Sequence, residues 1–323
     1  MKKTVFIILC LVLSLSAWSG GTNENNPPVS EKASWLIGVD IQSLLTSPLF
    51  ESVFRLFPFF RAYGLPESAD FSQLNLMLKK NLGFTLNEIN TFYLWNNELS
   101  LPDKSNGFGY IIGAANHKAE SLLNALKAEQ FFSVESESSQ ELVVIEYFSR
   151  SLYFVALGPF LCFSEDRGIL KQMITAFQNN SGIKANKSLY PMFQKYSSES
   201  VFICADLKDK KAEWLVPPLD MMELFSASIS VKENIIIQGV VTQSSEKSAR
   251  QFYNLFSLAL NLVSQIVPPD RPELKEAYRF MMKPLKIRQQ ENRVLMDCEY
   301  SNDILIHLKK LLDFGLELLY SGY

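Results

Sequence analysis

Two aspartates hold comparable positions in this sequence, each at the end of an apolar run. Asp40 ends the run S-W-L-I-G-V-D-I, and Asp206 ends V-F-I-C-A-D-L. Two carboxylates at a fixed separation could act as the acid and base of a glycoside hydrolase. The competing interpretation is structural, because an Asp at the end of a strand accepts hydrogen bonds from the next turn or caps the next helix. We favour the structural role and keep a periplasmic or extracellular hydrolase using Asp40 and Asp206 as the alternative.

Other groups that could do chemistry are sparse. The only two histidines, His117 and His307, have no neighbouring His, Cys or Glu at the spacing of a metal site. The chain contains no H-E-x-x-H, no C-x-x-C, no Gly-rich phosphate loop and no G-x-S-x-G. The sequence therefore predicts no catalytic residue, no metal site and no cofactor.

Three cysteines follow the N-terminal segment, and all lie in apolar, strand-like surroundings. They are Cys162, Cys204 and Cys298. Their spacing matches no zinc or redox motif, so they are predicted to be small buried hydrophobes. One disulfide among the three stays open as an alternative.

A crowded run of phenylalanines is the strongest candidate for a binding surface. Five rings between residues 50 and 60 cannot all face one narrow stripe of core. Some are therefore expected to line a groove or to contact a partner, with burial in the core as the alternative. The binding residues predicted on this basis are Phe50, Phe54, Phe57 and Phe60.

A second apolar helix is predicted over Gln251 to Val267. It is apolar almost all round, with Asn and Ser recurring every three to four residues along one stripe. This pattern favours a buried helix with a polar seam over a membrane span, which needs about 20 apolar residues.

The N-terminus has the three parts of a secretory signal peptide. Lys2 and Lys3 precede an apolar run over residues 5–13, and Ala17 and Ser19 are small residues placed for cleavage before Gly20. Export to the periplasm or the cell exterior is expected, with a retained anchor as the alternative. After cleavage of residues 1–19, no transmembrane span is expected, and residues 20–33 should form a flexible leader because residues 20–28 are polar and turn-rich.

Composition narrows the class of partner. The chain is 47% hydrophobic and 20% charged, which is typical of a globular protein. Its net charge is −3, and no cluster of Lys or Arg stands out. Nucleic acid is therefore excluded as an expected partner, and so is a polybasic membrane patch.

The order of predicted elements divides the chain into two halves. Residues 34–178 and 200–323 each contain a strand ending in Asp, later strands that run into a helix, and a final strand that opens another helix. A polar region at 179–199 is predicted to link them, with its first part mobile. The difference in residue number between corresponding elements is not constant along the chain. Two related halves would therefore require about 30 extra residues in the first half, near 64–89. We predict an α+β fold, mostly antiparallel sheet with flanking helices, in two related halves.

These features resemble a broad class of uncharacterised exported bacterial proteins built from strand–helix repeats. The resemblance is carried by the strand ending at Asp40, the helix opened by Ser47-Pro48, and the segment L-G-F-T-L-N-E-I at residues 82–89. It implies a repeated strand–helix architecture and brings no activity or site residues. The leading hypothesis is an exported, non-catalytic envelope protein that binds or assembles with an apolar ligand or a protein partner.

Overall fold

The computed structural model describes residues 26–49, 71–82, 85–98, 107–114, 119–127, 132–147, 150–208, 219–266, 271–301, 303–307 and 310. Twelve strands form one sheet in which all eleven neighbouring pairs are antiparallel. The strands are β1 Trp35–Asp40, β2 Ile89–Asn96, β3 Gly109–Ala114, β4 Phe132–Glu137, β5 Gln140–Tyr147, β6 Arg150–Leu157, β7 Phe160–Ser164, β8 Val201–Asp206, β9 Met222–Val231, β10 Ile235–Gln243, β11 Lys286–Gln290 and β12 Arg293–Tyr300.

Helices flank this sheet, which confirms the predicted α+β class. The α-helices are α1 Ile41–Leu45, α2 Phe71–Leu82, α3 Ala119–Leu126, α4 Arg167–Gln178, α5 Leu189–Tyr196, α6 Glu246–Ile266 and α7 Pro272–Met282. Short 3-10 helices occur at Leu86–Glu88, Gly182–Ala185 and Leu219–Met221.

The sheet order joins the two halves at its centre. The order is β11-β12-β10-β9-β8-β1-β2-β3-β7-β6-β5-β4, so β8 of the second half pairs with β1 of the first. Outward from this pair, the strands β9, β10, β12 and β11 on one side occupy the same positions as β2, β3, β7 and β6 on the other. The stretch between β1 and β2, residues 41–88, is about 30 residues longer than the stretch between β8 and β9, residues 207–221.

Tight turns set the register of the first half. Ser138 and Ser139 both have positive φ, as a type I′ hairpin turn requires, and they connect β4 to β5. The apolar pattern of residues 152–164 predicts one continuous strand, which is wrong because Gly158 (φ 60°) turns the chain and splits it into β6 and β7. Glycine fits that left-handed conformation without steric cost.

Apolar side chains fill both faces of the sheet in the first half. One face packs Phe92, Tyr110 and Phe163 beneath α3, and the rings of Tyr110 and Phe163 stack with centroids 4.7 Å apart. The other face packs Tyr93 and Trp95 beneath α4 and α5. The first half is therefore a sheet covered by helices on both faces.

The region predicted as a mobile linker is folded. Ile183 and Leu189 are fully buried in the core under α4 and α5. The Asn186 side-chain amide donates to the backbone carbonyls of Glu31 (3.0 Å) and Ala33 (2.9 Å). The predicted mobility is wrong because these side chains reach apolar and polar partners far away in sequence.

The same contacts correct the expected flexible leader. From residue 26 onward it is ordered: the Asn26 amide donates to the Ser181 carbonyl at 2.9 Å, and Val29 is fully buried. Its Pro27 carbonyl accepts from the backbone N–H of Ile183 at 3.1 Å. The end of the predicted leader and the predicted linker thus hold each other in place.

Candidate functional site

The predicted binding residues on the phenylalanine-rich segment lie outside the described residues. They are Phe50, Phe54, Phe57 and Phe60. Their role as an apolar binding surface stays a prediction.

The two aspartates are not brought together. β1 and β8 are antiparallel, with Trp35 opposite Ala205 and Val39 opposite Val201, so Asp40 and Asp206 lie at opposite ends of the pair. At about 3.3 Å per residue, roughly 20 Å separates these ends. The carboxylates of a glycosidase stand about 5–10 Å apart. The acid–base pair of the hydrolase hypothesis therefore does not form.

Both aspartates have the structural role that the sequence favoured. The Asp40 carboxylate accepts from the Ser43 backbone N–H at 2.7 Å, which caps α1. The Asp206 carboxylate accepts from the Lys208 N–H at 3.0 Å in the turn after β8. Each satisfies backbone donors that would otherwise lack a partner.

Metal-binding side chains do not cluster in the described part of the chain. No group of three His, Cys, Asp or Glu side chains there could hold a metal ion. The imidazole of His307 stacks on the Phe280 ring with centroids 4.2 Å apart. His117 lies outside the described residues. Among the described helices, none combines the length and apolar character needed to cross a membrane.

Cys162, Cys204 and Cys298 are free, buried thiols, as the sequence predicted. Cys162 and Cys204 lie in the core beneath α4 and α5, and burial raises the pKa of both thiols. Cys298 is less deeply buried, and burial also raises its thiol pKa. A raised pKa suppresses the reactive thiolate.

These thiols should therefore be inert in the folded protein. For the chain that begins at Gly20, which lacks Cys10, we expect no fast reaction with a thiol-specific colorimetric reagent at neutral pH in native buffer and three equivalents of reaction after denaturation. Free cysteine at the same pH serves as the rate control. Rapid titration of one thiol in the native protein would contradict the burial.

Helix α6 is the element whose surroundings best suit binding. Its first half packs on the sheet, where Ala249 and Phe252 contact Val241 and Val294. The Phe252 and Phe256 rings stack along this side at 5.9 Å between centroids. This packed side fixes the orientation of the whole helix, which is about 31 Å long at 1.5 Å per residue.

The side away from the sheet exposes three leucines. Leu255, Leu258 and Leu262 are 49%, 53% and 46% exposed. At 100° per residue they fall within about 60° of the helix circumference, and so form one stripe. We call these three residues the leucine stripe. From residue 251 to 266 the helix carries no charged side chain.

Helix α7 supports the far half of α6 from one side. The Tyr278 hydroxyl donates to the Leu260 carbonyl, and burial raises the Tyr278 pKa. Leu274 and Ala277 of α7 are buried. The leucine stripe is thus presented on a supported helix.

The exposure of the leucine stripe contradicts the prediction that this helix is buried. Because nearly every face is apolar, the sequence pattern could not tell which face would meet the sheet. The absence of charge over residues 251–266 marked the segment as unusual, but the same absence is typical of buried helices.

Comparisons with known proteins give a likeness of shape only. No family model matches the sequence, and no curated protein matches it. Crystal form III of TP0453 is 11% identical at a TM-score of 0.49, with 90% of this chain and 99% of that chain aligned. Crystal form I of TP0453 is 10% identical at 0.48, with 89% and 98% aligned. At these scores the likeness carries no argument about function.

Proposed function

We propose that this chain is an exported, non-catalytic envelope protein that binds lipid reversibly through the leucine stripe of α6. The observation that carries the proposal is the exposure of Leu255, Leu258 and Leu262 along one side of a helix whose other side is packed. A helix whose apolar face is left uncovered can lie in the boundary between lipid headgroups and acyl chains. The signal-like N-terminus supports export of the chain.

The size of the stripe favours lipid over a protein partner. Each leucine is about half exposed, so covering it contributes about 1 kcal/mol, or about 3 kcal/mol in all. A standard protein interface covers about 800 Å² on each partner, far more than three half-exposed side chains offer. Acyl chains need no matching shape and can cover a narrow stripe. Contact of this strength is weak and reversible.

The uncharged flanks determine how binding should respond to salt. The positions beside the stripe include Asn254 and Asn261, and no Lys or Arg lies between residues 251 and 266. Anionic headgroups attract basic side chains by about 1 kcal/mol each; none lies within residues 251–266, whereas the exposed Lys247 and Arg250 lie in the turns before the stripe. Contact made by the stripe itself should therefore depend little on salt or on the anionic fraction of the lipid.

The proposal is tested by vesicle co-flotation of the mature protein with neutral phosphatidylcholine. The double variant Leu255→Gln/Leu258→Gln should bind roughly 30-fold more weakly, because about 2 kcal/mol of apolar contact is lost. Gln suits a helix about as well as Leu, so folding should be spared.

The matched control is Leu76→Gln, since Leu76 is 70% exposed on α2, away from the stripe. It should bind like the unmodified chain. Equal flotation of the Leu255→Gln/Leu258→Gln variant and the unmodified protein would contradict lipid binding through this stripe. Failure of the folded, unmodified chain to float, with capture of a stoichiometric partner instead, would favour the protein-partner hypothesis.

We also infer that the two halves arose by duplication. The matching order of strands on either side of β8 and β1 supports this, as does the single long stretch at residues 41–88. In this interpretation α3 and α6 occupy equivalent places, since each follows the third strand of its half. α3 buries its apolar face completely, whereas the longer α6 does not. The binding surface would then be a feature acquired by one copy.

A further inference from the structure

The sheet ends in two unpaired strands. Among the described residues, β4 pairs with β5 alone and β11 with β12 alone. The outer side of such a strand presents backbone N–H and C=O groups that can pair with another chain. Natural proteins usually protect these edges with charge, proline or a covering loop.

Among the described residues, β4 exposes apolar side chains on one face and carries carboxylates on the other. Phe132 and Val134, on the first face, are 38% and 51% exposed. On the other face Glu135 and Glu137 form ion pairs with Arg167 of α4, at 2.8 and 2.9 Å, and Glu137 also pairs with Lys171 at 3.4 Å. These pairs hold the two carboxylates along the rim of the strand.

The β11 edge carries the opposite charge. Lys286 and Arg288 are exposed on one face of the strand, and Ile287 lies half-buried on the other. Arg288 pairs with Asp297 of β12 at 2.7 Å. Lys286 makes no ion pair with any residue in the described part of the chain.

The two sets of charges lie on the same face of the sheet. Cross-strand partners share a face, so the register can be followed from one edge to the other. Lys286 is opposite Asp297, and Glu135 is opposite Leu142. The residues that connect them across the sheet are Gln238, Ser228, Phe202, Gly38, Tyr93, Ile111, Cys162 and Val155.

Strand direction also fits. Because all eleven neighbouring pairs are antiparallel, β11 and β4 run in opposite directions. A second copy placed with its β11 beside β4, and with the same face up, therefore adds one more antiparallel pair. Aligning residues 133–137 with 286–290 sets Glu135 opposite Arg288 and Glu137 opposite Lys286.

We propose that β4 is a docking edge for β11 of a second copy of this chain, giving head-to-tail assembly. This surface is separate from the leucine stripe, so the proposal does not depend on lipid binding. Basic residues on an edge strand normally oppose pairing with another strand, because the facing strand either repels them or offers them no ion pair. Here the facing edge carries carboxylates on the matching face. A contact between two different surfaces leaves a free edge at each end and so permits growth.

The test is sedimentation of the full mature chain over a range of concentrations. We expect species that grow beyond a dimer with concentration and shrink when salt is raised, because exposed ion pairs are screened. Val134→Lys places a charge on the β4 edge and should abolish association. In the Lys286→Glu variant a carboxylate would face Glu137 of the neighbouring copy, which should weaken association at least tenfold. Leu76→Lys, on α2, is the matched control and should associate normally.

Mixing the Val134→Lys variant with unmodified protein distinguishes head-to-tail assembly from other kinds of oligomer. A Val134→Lys chain keeps its β11 edge, so a small fraction of it should cap and shorten the assemblies of unmodified protein. Circular dichroism of each variant checks that it is folded. A chain that stays monomeric at every soluble concentration would overturn the proposal. So would a folded Val134→Lys variant that assembles like unmodified protein.

Discussion

Replacing Gly38 with alanine is expected to destabilise the protein by about 3 kcal/mol, more than most single substitutions do. A β-carbon at Gly38 would clash with the Cε1 and Cζ atoms of the Phe202 ring. Gly38 is opposite Phe202 in the β1–β8 pair that joins the two halves. The ring is fully buried and packs against Phe193 at 5.7 Å between centroids. It therefore has little room to move. Urea unfolding of the purified variant measures the loss.

The matched control is Gly239→Ala on β10. A β-carbon there would meet the Met296 Cε methyl at 3.0 Å, the end of a flexible side chain that can move away. Its cost should stay below about 1 kcal/mol. Gly38→Ala combined with Phe202→Leu should recover part of the loss, since the smaller side chain admits the new methyl. Equal costs for the two glycine variants would refute the packing argument.

Stability should fall steeply in alkaline solution. Burial raises the pKa of the Cys162 and Cys204 thiols and of the Tyr93 phenol, so all three stay neutral in the folded state. In the unfolded chain the thiols ionise near pH 8.5 and the phenol near pH 10. Their contribution is therefore fully present below about pH 8.5 and is lost as pH rises. Each group lowers the unfolding free energy by up to about 1.4 kcal/mol per pH unit above its ordinary pKa.

Between pH 8.5 and 10.5 the two thiols together should remove about 5 kcal/mol, a large share of the stability of a typical domain. Urea unfolding at half-unit steps of pH measures this slope. Cys162→Ala/Cys204→Ala should lower stability at pH 7 but flatten the alkaline slope. Cys298→Ala should leave most of that slope in place. A double variant as steep as unmodified protein would show that other groups cause the loss.

Elements set by local chemistry could be predicted from the sequence. An Asp that follows a strand and precedes a helical pattern predicts a helix from Asp166 to about Gln178, and the Asp166 carboxylate accepts from the Gly168 N–H at 2.6 Å at the start of α4. The pair Ser138-Ser139 likewise predicts a turn, and both residues have positive φ between β4 and β5. Caps and turns depend on residues within a few positions of one another, so a short window contains their whole cause.

Features set by distant contacts could not be predicted. The region at 179–199 is polar, and polarity alone indicates a loop. It is folded because Asn186 reaches carbonyls of residues 31 and 33, more than 150 positions earlier. The leucine stripe was missed for a related reason. Sequence shows that α6 is apolar, but only the three-dimensional arrangement shows that Leu255, Leu258 and Leu262 stay exposed.

The β1–β8 pair has a consequence for the order in which the chain can fold. β8 begins at Val201, far along the chain from β1, which ends at Asp40. Wherever the exported chain folds, β1 lacks one of its two neighbours until the second half is available, in the middle of what will be the sheet. Such long-range pairing is slow to form, and an unpaired strand edge favours aggregation. A chaperone that shields β1 until the second half arrives would therefore raise the yield of folded protein.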